Sequence, residues 1–79
     1  MEKTPIEIFK SKLGKRMRQL RKANKITQKK IAFDIGYKDK QVVNNYEING
    51  ANPTAYNLVL IAKALGVTVD ELLDFSKLE

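Results

Sequence analysis

The sequence predicts an all-α fold: five helices joined by short connections. Three observations predict it. Helix-capping signatures recur along the chain, apolar residues repeat at three- and four-residue spacing, and no stretch alternates with period two.

Thr4-Pro5-Ile6-Glu7 is a capping box with proline at the first helical position, so a helix starts here. Phe9, Leu13, Met17 and Leu20 then share one face, and the pattern stops near Asn24. Gly14 interrupts this helix at a cost of about 1 kcal/mol relative to alanine. Thr27 caps a second, short helix that ends at Gly36, with Ile26 and Ile31 placed as a hydrophobic staple. Lys38 and Asp39 form a turn, and Asp39 is positioned to cap a third helix running to about Ile48. Asn49-Gly50, the residues most tolerant of left-handed backbone, end it. Thr54 caps a fourth helix whose inward stripe is Leu58, Ile61, Ala62 and Leu65, and Gly66 stops it. Thr68-Val69-Asp70-Glu71 is a second capping box, stapled by Val67 and Leu72, and opens a fifth helix to about Phe75.

Composition narrows the function. A chain of 79 residues is expected to form one domain over 1–79, and 43% hydrophobic residues suffice for a small globular core. The sequence has neither cysteine nor histidine. That excludes disulfides and thiolate metal sites, and removes the commonest general base and metal ligand. There is also no phosphate-cradling glycine loop and no carboxylate pair in an evident cleft, so neither an enzyme nor a bound metal or cofactor is expected. No apolar run approaches the ~20 residues of a membrane span, and the N-terminus lacks a signal peptide's apolar core. A cytoplasmic protein with no membrane partner is the expectation.

The net charge of +6 is unevenly spread. Residues 1–40 carry 13 Lys/Arg against 4 Asp/Glu, while residues 41–79 carry 2 against 5. A run of charge can simply be a solvated face. An excess of nine positives in forty residues is also the field expected of a protein that meets a polyanion.

The third helix is the least ordinary element. At 100° per residue, Val43 and Tyr46 fall on one side, and Gln41, Asn44, Asn45 and Ile48 on the other, with Lys40 and Glu47 near the boundary. Asparagine is a weak helix former, so an outward face carrying three carboxamides suits a surface that reads something. Gln and Asn can pair with adenine N6 and N7 in the major groove. The bland alternative is a solvent-exposed polar helix.

Two short helices joined by a tight turn, the second polar on its outward face, make a helix-turn-helix. LGKRMRQLRKANKITQKKIAFDIG, then EINGANP and LVLIAKALGVTVDELL, resemble the phage-repressor (Cro-type, lambda-repressor-like) helix-turn-helix DNA-binding family over about residues 13–74. The resemblance rests on the Thr27-Gln28 opening of the second helix, Ala32 and Gly36 at their spacing from Gln28, Glu47 ahead of Pro53, and the IAKALGV…ELL ending. It implies that Gln28 contacts the DNA backbone and buttresses the third helix, with Lys29, Lys38 and Asn52 as further phosphate contacts. It implies an ion pair between Arg21 and Glu47, and base reading by Lys40, Gln41, Asn44 and Asn45, with Val42 against a thymine methyl. Ala32 is small so that the second and third helices can approach. Family members usually bind palindromic double-stranded DNA as homodimers, with recognition helices ~34 Å apart.

The sequence departs from the family pattern in three places. Gly36 to Glu47 is one residue longer than the pattern. Placing the extra residue in the turn at Tyr37–Asp39 keeps Val43 and Tyr46 inward; the alternative register buries Asn45 and exposes Val43. Asn49 stands where glycine is common. Residues 1–12 extend the first helix and either pack across the fifth or reach DNA. Phe33 is expected to pack on that extension, the alternative being a contact with a partner. Leu72, Leu73, Phe75 and Leu78 exceed what one helix can bury, so Leu72, Phe75 and Leu78 are the expected dimer surface, the alternative being that they close the core. A small dimeric transcriptional regulator, acting as repressor and controlled by its own concentration, is the leading expectation. The alternative is a protein–protein module or an antitoxin on the same scaffold.

Overall fold

The computed structural model describes residues 2–78, and the elements within them are helical. In order they are α1 (Pro5–Ala23), α2 (Gln28–Asp34), α3 (Gln41–Asn49), α4 (Ala55–Leu65), α5 (Val69–Leu72) and a 3-10 turn at Phe75–Lys77. Among the described residues no helix is long and apolar enough to cross a membrane.

Threonine starts four of the five α-helices. The hydroxyls of Thr4, Thr27, Thr54 and Thr68 accept from the backbone N–H groups of Glu7, Lys30, Asn57 and Glu71 at 3.1–3.3 Å. Each answers one of the donors that a helix start leaves unpaired. At α3 the cap is displaced: Lys40 stands at the N-cap position without a side-chain bond, and Asp39 Oδ1 accepts from Gln41 N at 2.9 Å. The C-terminal ends of α1, α2 and α4 share another device, a six-residue return. Ile26 N donates to Arg21 O, Tyr37 N to Ala32 O, and Val67 N to Ala62 O. The residue before each donor is left-handed. Two of these are Gly36 and Gly66, but the third is Lys25, at φ +55°.

The core draws on every α-helix. Leu13, Met17, Leu20, Ile31, Ala32, Ile35, Val43, Ile61, Ala62, Leu65 and Leu72 are buried, together with Ala51 in the turn after α3. The observed register keeps Val43 inward and leaves Asn45 exposed. Gly14 has a packing reason that composition does not show. A β-carbon there would overlap the Tyr46 carbonyl oxygen, so α1 and α3 touch backbone to backbone at this point.

The C-terminal segment corrects two expectations. The fifth helix is a single turn and does not reach Phe75, because Asp74 Oδ1 accepts from Ser76 N and from the Ser76 hydroxyl and bends the chain. Chiefly through that hydroxyl, the Asp74 carboxyl is held below its usual range. Leu72, expected on a dimer surface, is fully buried in the core of a single chain. Leu73, Phe75 and Leu78 are half-buried. The N-terminal extension covers Phe75, which Phe9 meets edge-on with ring centroids 5.7 Å apart, and it also holds the turn after α3, where Lys10 O accepts from Ala51 N at 2.9 Å.

A buried arginine secures the same segment. Arg16 is 4% exposed; its Nε and Nη2 donate to Glu71 O at 3.1 and 2.9 Å. Its Nη1 donates to Gln19 Oε1, and Gln19 Nε2 donates to Lys77 O, both at 2.9 Å. Cationic donors on the last carbonyls of a helix suit its dipole. Phe33 is the remaining correction. It is 77% exposed rather than packed on α1, because Ile31, Ala32 and Ile35 occupy the inward positions of α2 and Phe33 faces the opposite side.

Helix propensity alone predicts that Gly14→Ala stabilises α1. The close approach to Tyr46 predicts the reverse, a loss of about 1–3 kcal/mol from forced separation of α1 and α3. Urea unfolding of the variant decides; a gain in stability contradicts the packing account.

Candidate nucleic-acid interface

The turn from α2 to α3, residues 35–40, brings α3 against the length of α1 and the start of α2. Only Val43 and Glu47 of α3 are buried. Its hold on the domain is therefore largely polar. Arg21 meets the Glu47 carboxylate with two bonds, Nε to Oε2 at 2.7 Å and Nη2 to Oε1 at 3.0 Å. The Glu47 side chain is 2% exposed and that of Arg21 15%. Arg21 Nη1 also donates to Ile26 O at 3.2 Å, in the return that ends α1. From α2, Gln28 Nε2 donates to Glu47 Oε1 at 3.1 Å and to Asn44 Oδ1 at 3.3 Å. One carboxylate thus joins three helices through planar, two-pronged contacts that fix direction as well as distance.

Around this anchor the surface is concave and basic. A cleft of about 800 Å³ lies between α1, α2 and α3. Arg18, Lys22, Lys29, Lys38 and Lys40 line it with Thr27, Gln28, Asn44 and Ile48. On the exposed crest of α3 beside it stand Gln41 and Asn45, joined by a 3.1 Å bond from Gln41 Nε2 to Asn45 Oδ1. Burial pushes the Tyr46 phenol above its usual range, with nearby Tyr37 adding to the effect, so Tyr46 is an uncharged packing group at neutral pH.

The structure brings most of the sequence-derived candidates together here. Lys40, Gln41 and Asn45 are exposed, Asn44 is half-buried at the cleft, and Gln28, Lys29 and Lys38 line it. Asn52 is exposed in the loop before α4 and is not part of the cleft lining. Val42 does not fit its assignment: it is half-buried and packed against the core. The exposed apolar side chain on this face is Ile48, 68% accessible and aligned with Gln41 and Asn45 along the helix. Arg18 and Lys22 went unnamed as individual site residues in the sequence reading; their spacing of four along α1 was the available signal.

A helix-turn-helix family model matches residues 17–72. An uncharacterized HTH-type transcriptional regulator of Bacillus subtilis (strain 168), YobD, is 40% identical over 58 residues, which is 73% of this chain and 51% of that protein. The chain therefore spans about half the length of the curated relative it matches. The restriction-modification controller protein C.AhdI from Aeromonas hydrophila superposes with a TM-score of 0.69 at 34% identity, over 78% of this chain and 92% of that one. The clp gene regulator ClgR from Corynebacterium glutamicum superposes with a TM-score of 0.79 over 91% of this chain and 76% of that one; its 19% identity speaks for the fold alone.

Removing one partner of a buried ion pair strands the other. Glu47→Ala is expected to lose about 3–5 kcal/mol in urea unfolding. Asp34→Ala, which breaks the exposed Lys30–Asp34 pair on α2, is expected to lose under about 0.5 kcal/mol. Comparable losses in the two variants contradict the anchoring role of Glu47.

Proposed function

The chain belongs to the Cro-type helix-turn-helix family of transcriptional regulators, and we propose that it is a dimeric repressor that binds double-stranded DNA by laying α3 in the major groove. The observation that carries this reading is one surface. An exposed row of amides on α3 is flanked by five Lys and Arg side chains from three directions. Cations in that arrangement neutralise phosphates and set the register, while amides meet base edges. Gln41, Asn44 and Asn45 are the base readers with Lys40, and Ile48 takes the thymine-methyl contact in place of Val42. Gln28, Lys29 and Lys38 contact phosphates, with Arg18 and Lys22 added from α1.

Occupancy of an operator by two such domains blocks access to the DNA beneath them, which is the basis for repression. Dimer contact is assigned to the exposed edges of Phe75 and Leu78. Sedimentation equilibrium that reads a monomer at concentrations saturating DNA rules the dimer out. A second reading, a protein–protein module or antitoxin, draws on the exposed aromatic rings of Phe33 and Tyr56. The concentration of positive charge in residues 1–40 favours DNA.

Fluorescence anisotropy across a salt series separates the two kinds of contact. Lys29→Ala should weaken binding to every duplex and lower the slope of log K against log salt by about one. Gln41→Ala should leave that slope unchanged and cost about 1–3 kcal/mol at one base pair of the preferred site. Binding that ignores salt, or equal loss from Gln41→Ala on all sequences, contradicts the assignment.

A further inference from the structure

We infer that Asn44 is locked as a hydrogen-bond donor toward DNA and selects a guanine in each half-site; the inference rests on the DNA-binding reading above. The lock begins at Glu47. A carboxylate paired with Arg21 has acceptors only, so Gln28 must turn its NH2 group to it. The second hydrogen of that NH2 group is directed at Asn44, 3.3 Å away, and Asn44 must answer with its oxygen. Flipping Asn44 would set NH2 against NH2. The polarity of the charged pair is thus handed through two amides to the surface.

What remains outward is Asn44 Nδ2. It has no hydrogen-bond partner among the described residues. It is also not buried, since no buried side-chain nitrogen or oxygen among those residues lacks a partner. Asn44 lines the cleft between Lys40 and Ile48. A group with two N–H donors and no acceptor meets its complement in guanine, whose N7 and O6 are adjacent acceptors in the major groove. Thymine offers one acceptor. Adenine offers one acceptor, N7, beside an amino group that opposes a donor, and cytosine presents only an amino group there. With one lone pair of its oxygen engaged by Gln28, Asn44 makes the paired adenine contact less readily than a free asparagine does. Gln41 and Asn45 carry no such constraint, because their mutual bond involves no charged group and can reverse.

Selection from a randomised duplex pool, run in parallel on the wild type, Asn44→Asp and Gln28→Ala, tests the inference. The wild-type motif should carry guanine at one position per half-site. Asn44→Asp puts an acceptor in the donor's place, and should shift that position by about tenfold toward cytosine or adenine while the others hold. Gln28→Ala frees the amide to turn and should broaden the same position to either purine. A purely structural role for Gln28 would weaken binding without changing the base preferred. A wild-type motif left unchanged by Asn44→Asp, or weakened evenly at all positions, overturns the donor assignment alone. A wild-type protein that enriches no motif overturns the DNA-reading assignment and this inference with it.

Discussion

A carboxylate buried where three helices meet has to be answered by charge, and Glu47 is answered by Arg21 and Gln28. The pair is a weak source of net stability, because removing two charges from water cancels most of their attraction. Its value is directional. The fork of the guanidinium meets both carboxylate oxygens, and Glu47 lies in the last turn of α3. Fixing it fixes the rotation of the helix about its own axis. That rotation decides which side chains stand on the exposed crest.

The same arrangement explains why α3 can afford so polar a face. Its apolar anchorage is limited to Val43 with partial help from Val42 and Tyr46. An apolar stripe that narrow leaves both rotation and depth loosely set. Depth is supplied by Gly14, which lets the backbone of α1 touch that of α3 at Tyr46. Rotation is supplied by Glu47. Position is thus set by a missing side chain and a charged one, and Gln41, Asn44, Asn45 and Ile48 are left free of core duties.

Much of this was legible in the sequence. The threonine caps, the glycine stops and the 3.6-residue stripes depend on local chemistry, and α1 to α4 begin and end within about two residues of where those signals stand. Val43 and Asn45 could be told apart because one register buries an amide. The failures came where the deciding partner is remote in sequence. Gly14 reads as a propensity defect until Tyr46 is opposite it. Arg16 reads as one more basic residue, although it lies three after Leu13 and four before Leu20, on the buried stripe. Leu72 reads as surplus hydrophobicity until the core of the other four helices receives it, and the Asp74–Ser76 bend overrides the helical pattern of the tail. Phe33 was a different kind of miss. Its phase, opposite Ile31 and Ile35, is legible in the sequence and outweighs its hydrophobicity.

We propose α3 and the basic cleft beside it as the surface that meets DNA. Amide chemical shifts recorded during titration with a mixed-sequence duplex test it residue by residue. Perturbations are expected to concentrate on Lys38, Lys40, Gln41 and Asn45, extending to Lys29 and Lys22 and leaving Phe33 and Tyr56 unmoved. Perturbations centred on Phe33 and Tyr56, or none at DNA concentrations well above that of the protein, would contradict it.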